Sequence, residues 1–204
     1  MRSPSFTAPT NDSEPPAVDA FLSAVDHAMN SNTLLLTAES DVPLSAENRQ
    51  DVLHAFLRNA LFPQLMRAAD VRRNWYNLSE EYDTEAFVLP LLREGFRATV
   101  SPLGHAGFLA RLRWMLCEAF SPYGHHYPAA DAERLVRGFL RELLGADGPA
   151  WSFAAVSPDF MRSTGYYSGE EPQLPVYFDG SGSDTATLVH RDHIFHLLLT
   201  NGSP

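Results

Sequence analysis

Lysine is absent from the 204 residues, isoleucine occurs once, at Ile194, and cysteine once, at Cys117. All fifteen basic residues are therefore arginines, set against 25 acidic ones for a net charge of −10. That balance speaks against a sequence-independent grip on DNA or RNA, which depends on neutralising phosphates with Lys and Arg. The arginine bias itself reads as the codon usage of a GC-rich genome. A single cysteine cannot close a disulfide within the chain. Cys117 stands among Leu112, Trp114, Met115 and Leu116, surroundings that suit an inert buried thiol better than a nucleophile. No run of eighteen apolar residues occurs, and the first thirty residues lack a continuous apolar core of signal-peptide length. The expectation is a cytoplasmic chain without a membrane segment.

What is present is enough apolar material for a core. A hydrophobic fraction of 45% with 11% aromatics excludes wholesale disorder. At this length roughly 70% of the unfolded surface can be buried, so no metal, disulfide or cofactor is needed to hold a fold, and no cofactor is expected. Residues 1–16, rich in Ser, Thr, Pro, Asn and Asp, read as a disordered tail, and 17–204 as one domain with a helical part, 17–145, and a strand-rich part, 146–204.

Apolar residues at three-and-four spacing predict the helices. Val18, Phe21, Leu22, Val25 and Met29 share one face. Ser45 is read as the N-cap of a second helix carrying Val52, Leu53, Phe56, Leu57 and Leu61, with Pro63 kinking or restarting it before Gln64 to Arg73. Phe87, Val88, Leu91, Leu92 and Phe96 predict a further helix capped by Ser79, Asp83 or Thr84 and stopped at Gly95. Ser101-Pro102 opens another that extends through Phe108, Leu112, Met115 and Leu116 to Phe120. Pro128 to Leu144 is the clearest helix, with Leu135, Val136, Phe139 and Leu140 inside, Arg134, Arg137 and Arg141 outside, and Gly145 at its end. Beyond it, Trp151 to Val156, Pro175 to Phe178, Thr185 to Val189 and His193 to Thr200 read as strands, the last two as a hairpin. Helices first and strands last predict an α+β fold, about five N-terminal helices packed against a small C-terminal antiparallel sheet.

Val176-Tyr177-Phe178-Asp179-Gly180-Ser181-Gly182-Ser183 resembles the D-x-S-x-S signature of von Willebrand factor A-type domains, in which an Asp and two Ser hydroxyls hold a divalent cation. The resemblance covers eight residues. That family's motif opens a helix, whereas the 21 residues after Ser183 read as strand, so the string is taken as a turn whose Asp and Ser bond their own backbone.

His190-Arg191-Asp192-His193 carries His and carboxylate at spacings used by Fe(II) or Zn(II) sites. If Arg191 and Asp192 are a two-residue turn, His190 and His193 meet across the ladder on the face of Leu188, Phe195, Leu197 and Leu199, while His196 points the other way with Val189, Ile194 and Leu198. Two imidazoles on one face are too few for a metal by themselves. Further ligands would have to come from elsewhere, and His125 and His126, in the loop Pro122 to Pro128, are the candidates. The Arg134, Arg137, Arg141 stripe, with Glu133 and Glu142 in ion-pair register, reads as a solvated face. Gly165-Tyr166-Tyr167-Ser168-Gly169 is not a nucleophile elbow, having one residue too many before Ser168, and no phosphate-binding Gly-rich loop is present.

The strand-rich part holds seven acids against two arginines. Tyr166, Tyr167, Glu170 and Glu171, between Gly165 and Pro172, combine rigid aromatic area with charge that attracts cationic partners. The sequence is therefore read as a non-enzymatic protein-binding module using these four residues, by analogy of size and charge with bacterial immunity proteins that neutralise a basic protein. The alternative is a metal-dependent enzyme using His190, His193 and a carboxylate such as Asp192.

Overall fold

A computed structural model describes residues 3–9, 15–73, 92–93, 95–96, 99–145, 150–161, 177–178 and 182–201. Its organising element is a strand that alternation does not mark. In β2 (Asn32–Ser40), Leu34, Leu35 and Leu36 run consecutively, because the sheet is covered on both faces and neighbouring residues are both buried. Around it stand β1 (Phe6–Thr7), β3 (Val100–Pro102), β4 (Ser152–Val156), β5 (Thr185–Arg191) and β6 (Ile194–Asn201), in the antiparallel order β1-β2-β6-β5-β4-β3. The chain's first forty residues thus supply two of six strands, and β2 pairs along its length with β6, from Asn32 opposite Asn201 to Glu39 opposite Ile194.

Among the described residues five α-helices flank this sheet: α1 (Pro16–Met29), α2 (Arg49–Leu57), α3 (Leu61–Arg73), α4 (Gly104–Cys117) and α5 (Ala129–Leu144). One face carries Leu34, Leu36, Leu188, Phe195, Leu197 and Leu199 against Leu53 and Phe56 of α2 and Phe62 and Met66 of α3. The other carries Leu35, Phe153, Val189 and Leu198 against Phe21 and Val25 of α1, Phe108 and Leu112 of α4, and Val136 and Phe139 of α5. The fold is α+β overall, with the helices shared between two faces and the sheet drawn from both ends of the chain. This corrects the expectation of a small C-terminal sheet.

Several local expectations also change. Phe6, in the segment read as a tail, pairs within β1 and sets its ring edge-on to Phe56 and Phe195, at 5.4 and 6.2 Å. The break between α2 and α3 falls at residues 58–60, and Pro63 lies in the first turn of α3, where its missing N–H costs no helical bond. Asn48, not Ser45, directly precedes α2; the Ser45 carbonyl accepts from Arg49 N. Ser101 and Pro102 belong to β3, so α4 starts at Gly104, and it ends before Phe120. Tyr177 and Phe178, read as strand, lie outside the ladders. The Tyr177 hydroxyl donates to the Asn32 carbonyl at 2.6 Å, and Asn201 Nδ2 donates to the Tyr177 carbonyl at 2.8 Å. Residues 79–91 of the next predicted helix lie outside the described residues, but Leu92, assigned to the same helix, forms an antiparallel bridge with Met161, and Arg93 N donates to the Phe160 carbonyl at 2.9 Å, so the described end of that segment is extended, not helical; Gly95, the expected stop, has φ +66. No helix among the described residues is long and apolar enough to cross a membrane.

Candidate functional site

The β5–β6 hairpin turns at Asp192-His193, one residue later than the sequence suggests. Asp192 adopts φ +50, which Asp tolerates because its short side chain can bond locally, and Arg191 pairs with Ile194. His190 is therefore opposite Phe195, not His193. The slip moves the partner by two positions, so parity is kept and His190 shares its face with Leu188, Phe195, Leu197 and Leu199 as expected. His193 leaves the ladder: its Nδ1 meets the Ser40 carbonyl at 2.8 Å, while Asp192 offers its own carbonyl to Leu44 N at 2.7 Å. The two imidazoles predicted to face one another do not.

His190 is buried, 3% exposed, and among the described residues neither ring nitrogen has a hydrogen-bond partner. Loss of hydration, aided by the Arg49 charge, pushes its pKa down to about 4. His196 lies on the opposite face. Its Nδ1 is 2.9 Å from Thr37 Oγ1, its Nε2 is buried without a partner, and the Trp151 ring stacks on it at 5.2 Å. Burial alone pushes this ring down to about 4 as well. Both are core imidazoles held neutral. Among the described residues no three His, Cys, Asp or Glu side chains gather as a metal site.

The loop between α4 and α5 is built differently. Its backbone is fastened at several points: Tyr127 N donates to the Leu116 carbonyl at 2.8 Å, His125 N to the His27 carbonyl at 3.2 Å, and Gly124 N to Ser121 Oγ at 3.1 Å. Gly124 passes so close to α1 that a Cβ there would lie 1.8 Å from the Ala28 carbonyl oxygen. Only glycine permits that approach. The loop nonetheless presents Phe120 and Tyr123 to solvent at 72% and 71% exposure. His126 Nε2 is 2.8 Å from the Ala119 carbonyl, and the His125 ring lies against His27 of α1 with centroids 5.2 Å apart. Sequence reading picked out His125, His126 and Tyr123 but missed His27, whose only signal was its place in the last turn of α1, and assigned Phe120 to a helix interior.

The remaining candidates resolve into structural roles. Arg134 pairs with Asp131 on its own helix, whereas Glu133 reaches across to Arg113 of α4 at 2.9 Å. Glu142 accepts from the backbone of Ala17 and Val18 at 2.6 and 3.3 Å, closing the N-terminus of α1. Cys117 is half-buried, and desolvation, with the Glu118 charge, pushes its thiol up, away from the thiolate a nucleophile needs. Arg73, whose side chain is 4% exposed, ties α3 to α1 through Asp19 and Asp26 at 3.0 and 2.5 Å. Burial outweighs that pairing and pushes Asp26 up to about 6. Ser183, the described end of the D-x-S-x-S string, donates its hydroxyl to the Phe120 carbonyl at 3.1 Å, and the chain enters β5 two residues later, not a helix. Tyr166, Tyr167, Glu170 and Glu171 lie outside the described residues. The chain matches no protein-family model, no curated protein and no solved structure.

Proposed function

We propose that the chain is a non-enzymatic protein-binding module and that the loop between α4 and α5 is part of its contact surface. The observation that carries the reading is that Phe120 and Tyr123, 72% and 71% exposed, project from a backbone fastened to α1 and α4. Large aromatic side chains are the usual anchors of protein interfaces, and a loop already held in one conformation loses little entropy on binding. A cost of leaving two such rings in water, with no core to gain from them, is offset when a partner covers them.

The net charge of −10 favours a partner with a basic surface, and Tyr166, Tyr167, Glu170 and Glu171 supply further residues suited to such a contact. In this reading the chain neutralises a basic protein, as immunity proteins do. The test replaces both loop rings, Phe120→Ser with Tyr123→Ser, and compares capture of stoichiometric partners from a lysate of the source cells. Because both positions are exposed, the variant is expected to keep its cooperative unfolding within about 0.5 kcal/mol of the wild type while losing a basic partner that the wild type retains. Equal capture by both chains, or no stoichiometric partner for either, overturns the reading.

A further inference from the structure

We propose that the groove between α4 and the start of β5 binds a small aromatic monocarboxylate, Arg111 receiving the carboxylate and Trp114 the ring. This inference does not depend on the protein-binding reading. It starts from how Arg111 is held. Its Nη1 donates to the Ala186 carbonyl at 3.1 Å and to the Thr187 hydroxyl at 3.0 Å, and Thr187 is fully buried in β5. Nη1 has one hydrogen for each of these acceptors. The Nε–Nη2 edge is left over, with no partner among the described residues and not sealed from solvent. A guanidinium edge of that kind takes a carboxylate through two parallel hydrogen bonds.

The charge of Arg111 is also unmatched. Arg73, Arg113 and Arg134 pair with acids at 3.0, 2.9 and 2.5 Å, whereas among the described residues no carboxylate pairs with Arg111. Burial alone draws its pKa below the ordinary arginine value, with no neighbouring acid to raise it, and the group stays charged. A fixed cation partly withdrawn from water and lacking a counter-charge gains from an arriving anion without first giving up a partner. Room for the anion is present. The groove measures about 710 Å³, and half-buried Trp114 and Ala110 supply its apolar lining. Its other wall is fastened by Ser183, whose hydroxyl donates to the Phe120 carbonyl at 3.1 Å. In that wall Gly182 faces open space, and the Thr185 hydroxyl is buried without a partner among the described residues.

The lining selects among anions. An aromatic body gains area and ring contact against Trp114, which an aliphatic acid of equal charge does not. Glu118 and Asp184 also line the groove, so a phosphate dianion meets more repulsion there than a monocarboxylate does. Arg113 offsets little of this, because it is already paired with Glu133. As the guanidinium and Trp114 are placed by α4 and anchored by β5, little order remains to be imposed when the ligand enters.

The full chain is titrated at neutral pH with phenylacetate, 2-phenylacetamide and phenyl phosphate, followed by NMR. Phenylacetate is expected to saturate one site and to move the Arg111 Nε–H and Trp114 indole resonances. The uncharged amide, which cannot form the charge-assisted pair, should bind about tenfold more weakly or worse. Arg111→Lys keeps the charge but loses the two-pronged edge, and should weaken phenylacetate about tenfold, with circular dichroism checking its fold. Glu118→Gln, at an exposed position, should unfold like the wild type yet bind phenyl phosphate about threefold tighter, since one like charge is gone. Four results overturn the proposal: no saturable phenylacetate binding, equal binding of the amide, resonance shifts confined to other parts of the chain, or a folded Arg111→Lys with wild-type affinity. Should Arg111→Lys not fold, the wild-type resonances and Glu118→Gln decide, and unchanged phenyl phosphate affinity in the latter counts against the site.

Discussion

Replacing His196 with leucine should make the fold less sensitive to acid, by an amount set by the burial of one ring. His196 is 7% exposed with Nε2 buried and unpartnered, and its pKa is pushed down to about 4 from an ordinary 6.5. A ring with a lower pKa folded than unfolded takes up its proton preferentially in the unfolded chain. Its contribution to stability is therefore complete above pH 6.5, drains as the pH falls, and is exhausted below about pH 4. The shift of two to three units corresponds to about 3 kcal/mol in all, of which about 2 kcal/mol is lost by pH 4.5. His190, pushed in the same direction, adds to the acid loss, while Asp26, raised to about 6, titrates in the same window with the opposite sign. Both are unchanged in the variant, so they cancel when the two proteins are compared. Urea unfolding at pH 7, 5.5 and 4.5 should show the wild type losing about 2 kcal/mol more than His196→Leu across that range. At pH 7 the variant should be weaker by about 1 kcal/mol, for the Thr37 hydroxyl that loses its partner. Parallel loss of stability in the two proteins would refute the argument, as would a His196 ring resonance that titrates near pH 6.5.

Gly124→Ala should cost about 1–3 kcal/mol in denaturant unfolding, because a Cβ 1.8 Å from the Ala28 carbonyl oxygen forces the loop off α1; stability within 0.5 kcal/mol of wild type would mean that the loop is not seated there. The same variant should weaken partner capture more than its stability loss explains, since it loosens the backbone beneath Phe120 and Tyr123. Glu170→Gln combined with Glu171→Gln should slow association with a basic partner and flatten its dependence on salt, measured by stopped flow or surface-based kinetics. Unchanged association in that double variant removes these residues from the contact surface.

The parts of the fold legible in the sequence were those in which one face is wet. α5 shows this well: Val136 and Phe139 inward with Arg134 and Arg137 outward announce both the helix and its buried side. The β5–β6 hairpin was legible for a related reason, and even the one-residue error in its turn left His190 and His196 on their correct faces, since parity survives a two-position slip. β2 was not legible. Leu34, Leu35 and Leu36 are buried on alternate faces of a covered strand, a pattern that looks the same in a buried helix or a connector. Phe120 failed differently: its apolarity continues the stripe of α4, but the helix stops before it, ahead of Ser121-Pro122, and the ring is left in solvent.

The candidate site was legible only as residue types. Nothing in the spacing of residues 190–196 says whether an imidazole faces a metal or a wall of leucine, and the cross-strand partner decides it: Phe195 opposite His190 excludes water and ligand alike.

Composition and periodicity by themselves determined the acidic charge, the amphipathic helices and the antiparallel hairpin, because each follows from residues within a few positions of one another. Which histidines meet was decided by the path of the backbone through three layers. His27 and His125 are far apart in sequence and adjacent because Gly124, lacking a side chain, lets one loop rest on the end of a helix. Local rules carry no information about that encounter, as it depends on how α1 and α4 are packed beside one another on one face of the sheet.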